Sequence, residues 1–265
     1  MVTLYFSGKT MEIRTILSEN ITSQLNQDKI LVTGGSGLLG KSIHKLLPNA
    51  LYPDSKYFDV TDFNQMREYL KNKKLQCVLH LAAFTSPPKV NNNPLKAIKT
   101  NIIGTANITL LCIKYAIKLV YLSTDYVFKG DSGFYSEEDP VFPVNLYAWS
   151  KLGGECAVRL YKNSLIIRTS FGSNTFPYAQ AFFDQYTSRQ KVDTIARKII
   201  LLLRCNLTGT IHIGGRRKSV YSYAKSLNRD EPIKRISRRD VSFVLPKDTS
   251  LNTEKYNTFL KKHRI

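Results

Sequence analysis

The stretch KILVTGGSGLLGKSIHKLL, Lys29–Leu47, decides the fold. Ile30–Thr33 is apolar and β-rich and reads as a short buried strand; after a glycine turn, Leu38, Leu39, Ile43, Leu46 and Leu47 fall on one side of a helix. Gly34, Gly37 and Gly40 stand in a G-x-x-G-x-x-G spacing between strand and helix. Backbone that runs close to a pyrophosphate has no room for a Cβ, and the N–H groups that open a helix offer the phosphates partial positive charge. Glycines in a turn are weak evidence alone. Inside a strand–turn–helix unit they predict a dinucleotide site.

The same rhythm continues outward. ALYP (50–53) is a weak second strand, DFNQMREYLKN (62–72) a helix with Asp62 as its cap, and CVLHLAA (77–83) a strong strand. A long helix is predicted over 94–117, a strand over 118–124, a helix over 147–162 and a strand over 164–171; a helix over 192–204 and a strand over 209–215 follow. Strands alternating with helices of this length predict βαβ units, and continuous apolar runs such as CVLHLAA predict strands covered on both faces. The expected class is α/β, a doubly wound parallel sheet of Rossmann type with a small C-terminal substrate lobe. The expected division is an N-terminal extension (1–28), a dinucleotide-binding domain (29–170 and 188–215) and a lobe made of 171–187 and 216–265.

Composition narrows the function. The chain has 265 residues, 43% apolar and 22% charged, enough for a full core. Cys77, Cys112, Cys156 and Cys205 lie in apolar or helical stretches with no metal-ligand spacing, so they are expected to be reduced, no metal site is expected, and the expected location is cytoplasmic. The start lacks a basic segment followed by an apolar run of about 7–15 residues, and no run approaches the ~18–20 residues of a membrane span. Net charge is +19, densest toward the C-terminus in GGRRK, IKRISRRD and KKHRI. No RRM, KH or zinc-finger signature accompanies it, so it reads as a solvated surface, with neither nucleic acid nor membrane as a partner.

Two further stretches carry chemistry. YAWSK places Tyr147 and Lys151 four apart, on one helix face. An ammonium beside a phenol stabilises the phenolate and is expected to lower its pKa toward that of a general acid–base. YLSTDYVFKG (121–130) ends a strand in Ser123, Thr124 and Asp125, and ligands of open parallel sheets sit outside such carboxyl ends. A hydroxyl at this strand end, that of Thr124 or that of Ser123, is placed to donate to a substrate oxygen on which negative charge develops.

LSTDYVFKG followed by NLYAWSKLGGE resembles the dTDP-4-dehydrorhamnose reductase family of extended short-chain dehydrogenase/reductases, with similarity running from about Lys29 to Gly215. The resemblance implies NAD(P)H-dependent reduction of the C4 ketone of a nucleotide-linked 4-keto-6-deoxy sugar. It implies Thr124, Tyr147 and Lys151 as the catalytic set. It implies a cofactor site made of Gly34, Ser36, Gly37, Leu38, Leu39, Gly40, Asp59, Val60, Leu81, Ala82, Ala83, Asn101, Tyr147 and Lys151, and a substrate side of Thr85, Tyr126, Phe128 and Arg189. Gln185, Tyr186 and Thr187 are further candidates for an acidic diphosphate.

Beyond the expected second strand, Asp54 suits a ribose hydroxyl, whereas Ser55 and Lys56 suit a 2′-phosphate. Charge favours NADP(H) over NAD(H). The nucleotide-diphosphate sugar is the expected partner, and a homodimer through helices 94–117 and 147–162 is one option. Two alternatives stand beside the reductase: a non-catalytic NADP(H)-binding regulatory subunit, and an epimerase or dehydratase of the same superfamily.

Overall fold

The computed structural model describes residues 26–228 and 232–263, so the expected extension over 1–28 lies almost wholly outside the described residues. Five parallel strands form the central sheet: β1 (Ile30–Thr33), β2 (Cys77–His80), β3 (Lys118–Thr124), β4 (Ser164–Thr169) and β5 (Gly209–Ile213), hydrogen-bonded in that order. The predicted second strand shrinks to one bridge, Leu51 against Leu31 on the outer side of β1. Pro53, which has no N–H to donate, ends any extension of that pairing. The chain thus leaves β1 first toward Leu51 and then crosses to β2 on the other side. That reversal opens a crevice at the strand ends, where sheets of this kind bind ligands.

Alternate side chains of the strands feed two cores. Ile30 and Val32 pack with Leu39 and Ile43 of α1 (Leu38–Leu46) on one face, and Leu31 and Val78 pack with Met66 of α2 (Phe63–Leu70) on the other. Ile108 and Leu111 of α3 (Gly104–Lys114) complete the second layer. A sheet covered twice explains why its strands are apolar at every position. The expected caps form: the Asp62 side chain accepts from Gln65 N, and Asn145 accepts from Ala148 N to start α4 (Leu146–Arg159). The long helix predicted from residue 94 carries a wide π turn over Ile98–Ile103 before α3. Such turns recur beside functional sites.

After β4 the chain forms short strand pairs: Gln180–Phe182 with Lys234–Ile236, and Tyr186–Thr187 with Lys218–Ser219. Phe176, Ala181, Val220, Tyr223, Ala224 and Ile233 give them their own small core. The C-terminal helix Glu254–His263 does not join this group. Its Tyr256, Phe259 and Leu260 pack into the main core, because an apolar stripe at i, i+3 and i+4 finds its cover there. No helix among the described residues is long and apolar enough to cross a membrane.

Candidate active site

The glycine turn is held by what lies behind it. Gly34 adopts φ +71°, and a Cβ there would meet Ala82 N at 2.7 Å. A Cβ on Gly40 would collide with Gly34 O. The Thr33 hydroxyl accepts from Ala82 N at 3.1 Å and bonds His80 Nδ1 at 2.7 Å, locking the exits of β1 and β2 together. Burial drives the His80 imidazole down to about 3, so the ring is neutral.

A cavity of about 390 Å³ opens over these strand ends. It joins Gly34, Gly37, Leu38, Leu39 and Gly40 to Leu81, Ala83 and Thr85, and then to Thr124, Tyr126, Tyr147, Lys151 and Arg189. All three expected catalytic residues therefore share one cavity with the glycine turn. Ser36 lies exposed on the outer bend, and Ala82 supplies backbone beneath Gly34. Asp59 and Val60 do not reach this cavity: Asp59 Oδ1 accepts from the N–H and hydroxyl of Thr61, and Val60 is buried against Gly104. Asn101 is fully buried and works as a clamp. Its amide accepts from Phe84 N at 2.7 Å, donates to Phe84 O, and donates to Ser150 Oγ, which in turn donates to Tyr147 O. The residue expected to contact the cofactor instead ties the β2 exit loop to the first turn of α4.

Phe128 is a correction. A 3₁₀ turn over Asp125–Val127 ends the strand and sends this ring away from the cavity. It stacks on Tyr135 with centroids 4.4 Å apart and lies edge-on to His212, with no exposed surface. Of the polar candidates further on, Gln185 donates to the Tyr126 hydroxyl and Thr187 to the buried Asp125; only Arg189 lines the cavity, donating to Ser170 Oγ at 3.4 Å. Burial raises the Asp125 carboxyl, while bonds from Thr249, Thr124 and Thr187 and the Arg189 charge oppose the rise.

The phenol of Tyr147 is a second correction. Burial pushes its pKa up, not down; Asp125 and Tyr126 add to the rise, while the Thr124 hydroxyl and Arg189 pull against it. The Lys151 ammonium lies over the Tyr121 ring, 4.2 Å from its centroid, and burial brings its pKa down to about 7 against the pull of Glu155. Tyr147 thus holds its proton at neutral pH, the state required of a proton donor.

Several contributors were not anticipated. Ser123 donates to Glu155 Oε2 at 2.7 Å, and Glu155 also pairs with Arg168 at 2.6 Å, both wholly buried, and with Arg159. Ser86, at φ +84°, lines the cavity beside Pro87. Thr169 and Ser170 line it at the end of β4; an apolar strand ending in hydroxyls, as β3 does at Thr124, was the available signal. The side-chain-free backbone that Gly34, Gly37 and Gly40 present to the cavity, which runs on to the hydroxyl-bearing ends of β3 and β4, fits a dinucleotide laid across the strand ends.

A family model described as the RmlD substrate binding domain matches residues 28–251. The chain belongs to that family, a branch of the extended short-chain dehydrogenase/reductases. It is similar to a hypothetical dTDP-4-dehydrorhamnose reductase from Sulfolobus tokodaii: 30% identity, 88% of this chain and 94% of that one covered, TM-score 0.79. The dTDP-4-dehydrorhamnose reductase of Bacillus anthracis, solved in complex with NADP, is 25% identical over 89% of this chain and 93% of that one, with a TM-score of 0.80. Methionine adenosyltransferase 2 subunit beta of Pongo abelii is 32% identical over 141 residues, 49% of this chain and only 42% of that protein's length. The parallel sheet with helices on both faces is the Rossmann-type fold of the solved relatives.

Proposed function

We propose that the protein is an NADPH-dependent reductase acting on the C4 ketone of a nucleotide-diphosphate-linked 4-keto-6-deoxy sugar. The observation that carries this reading is the convergence of Thr124, Tyr147 and Lys151 on the cavity that begins at the glycine turn. The first turn of α1, from Gly37 to Gly40, offers N–H groups and dipole to the pyrophosphate. Leu81 to Ala83 would flank the ribose. Bound there, the dinucleotide supplies the hydride.

The protein's own residues do the rest. Tyr147 donates its proton to the sugar O4 as the ketone becomes an alcohol. Thr124 hydrogen-bonds the same oxygen and orients it. Lys151 holds the nicotinamide ribose and offers charge to the phenolate as it forms. Tyr126 and Thr85 wall the substrate side, and Arg189 is the cation facing an anionic sugar nucleotide. NADPH is preferred over NADH in this reading, supported by the relative solved with NADP and by exposed Ser55 and Lys56 beyond β1. Exposed Ile103, Leu110, Ile113 and Leu160, on or beside α3 and α4, suit a homodimer through those helices.

The test is consumption of NADPH by purified protein across dTDP- and UDP-linked 4-keto-6-deoxy sugars. Turnover with one of them is the expected result, and binding of NADPH with no turnover on any is the opposing one. A second reading, a non-catalytic regulatory subunit that holds NADP(H), is favoured by the similarity to methionine adenosyltransferase 2 subunit beta. Such a subunit would keep its function in Tyr147→Phe, whereas a reductase would lose it.

A further inference from the structure

Among the described residues, three that are not glycine hold a positive φ: Ser86, Ala116 and Phe134. Of these, Ser86 alone lines the cavity. Its backbone stands at φ +84° and ψ 121°. The ring of Pro87 confines ψ to that extended range, and the positive φ strains any residue that carries a Cβ. Glycine adopts it freely, and the chain uses glycine at φ +71° where Gly34 brings bare backbone to the same cavity. At residue 86 it keeps a serine, so the side chain contributes something that backbone alone does not.

That contribution is not made to the protein's own fold. Ser86 precedes the short helix Pro87–Asn92, yet its side chain makes no capping bond. A serine in this place accepts from the N–H two or three residues on, and at Pro88 that N–H does not exist. The hydroxyl has no other hydrogen-bond partner among the described residues, and Ser86 is only partly buried. The loop around it is firmly held: Asn101 accepts from Phe84 N and donates to Phe84 O. A strained residue on a fixed loop keeps its orientation without help from the ligand.

Position says which reactant meets it. On the reading above, the cofactor lies on the glycine turn and on Leu81–Ala83, at the strand ends. Ser86 is three residues beyond Ala83 along the same wall, past the cofactor contact, and borders the space left for the second reactant. A 4-keto-6-deoxy sugar carries free hydroxyls on the ring carbons near its ketone. A serine hydroxyl can both donate to and accept from such a group.

We propose that the Ser86 hydroxyl hydrogen-bonds a ring hydroxyl of the keto sugar and so helps select that sugar. This rests on the reductase reading above and adds a specificity-determining residue to it.

The experiment compares wild type, Ser86→Ala and Ser86→Gly. Alanine removes the hydroxyl and keeps the strained backbone, whereas glycine removes both. Steady-state kinetics are run with NADPH and whichever nucleotide-linked 4-keto-6-deoxy sugar the wild type reduces. NADPH affinity and melting temperature are read by calorimetry. Both variants are expected to raise KM for the sugar by about three- to tenfold, the range of one lost hydrogen bond. Their kcat should stay within about twofold of wild type, and NADPH affinity should not change. Ser86→Gly should melt above Ser86→Ala, because only glycine takes this φ without strain. An unchanged KM in Ser86→Ala overturns the proposal. A rise in KM confined to Ser86→Gly also overturns it, by assigning the effect to the backbone, as does a matching loss of NADPH affinity. Wild type that binds NADPH but reduces no such sugar overturns the reductase reading itself, and this inference with it.

Discussion

Lys151 and Glu155 are one helical turn apart on α4 and both buried, yet their surroundings are opposite. Burial alone would raise the Glu155 carboxyl, but Arg168, Ser123 and Arg159 together bring it below the usual carboxylate range. Lys151 has an aromatic face beneath it and the more distant field of Glu155, and its pKa falls to about 7. The first arrangement is finished: each oxygen of Glu155 is bonded, and α4 is fixed to β3 and β4. The second is left unfinished beside an open cavity, as a group that must respond to a ligand has to be. One helix thus carries a locked end and a reactive end, and the lock gives the reactive end its position.

Three changes break or sharpen that contrast. Tyr147→Phe acts only at the reactive end. On the reductase reading it should cost about 10²–10⁴-fold in rate with little change in melting temperature, checked by steady-state kinetics and calorimetry. Glu155→Ala acts at the lock and leaves the Arg168 charge buried without its partner, with an expected loss of about 3–5 kcal/mol in denaturant unfolding. Replacing both partners, Glu155→Leu with Arg168→Met, should lose clearly less than Glu155→Ala alone, because no charge is then stranded.

The smallest effect is the pH dependence of Lys151. Its folded pKa, about 7, lies below the value of about 10.4 for an unfolded lysine, so between these the unfolded chain binds more protons and stability rises with pH. Lys151→Met removes this penalty. It should therefore melt above wild type at and below pH ~7, and the gap should close as pH approaches ~10. On the reductase reading, wild-type kcat/KM, which reports the free enzyme, should decline as pH rises through about 7 and this ammonium is lost.

What the sequence made legible was local. The glycine turn, the Asp62 cap and the Tyr147–Lys151 pair each depend on residues within one turn or one helix, and the structure has them where their spacing predicts. What was unread or misread depends on residues far apart in sequence. The Glu155 partners Ser123 and Arg168 come from two different strands, and nothing near Glu155 in sequence names them. Phe128 looked like a cavity residue until the 3₁₀ turn after Thr124 rotated it into the core. Asn101 was read as a ligand contact because its clamp on Phe84 and Ser150 exists only once the π turn brings it inward. Thr169 needed the register of β3 against β4, which no periodicity contains.

On the proposed reading, the glycine turn and the Thr124–Tyr147–Lys151 group serve one reductive event. The most direct measurement follows a label: NADPH carrying deuterium at the transferred position is incubated with a nucleotide-linked 4-keto-6-deoxy sugar, and the product is examined by NMR. Deuterium on C4 of the sugar is expected in the wild-type reaction. NADPH bound by the protein while the sugar stays unlabelled and unreduced would contradict it.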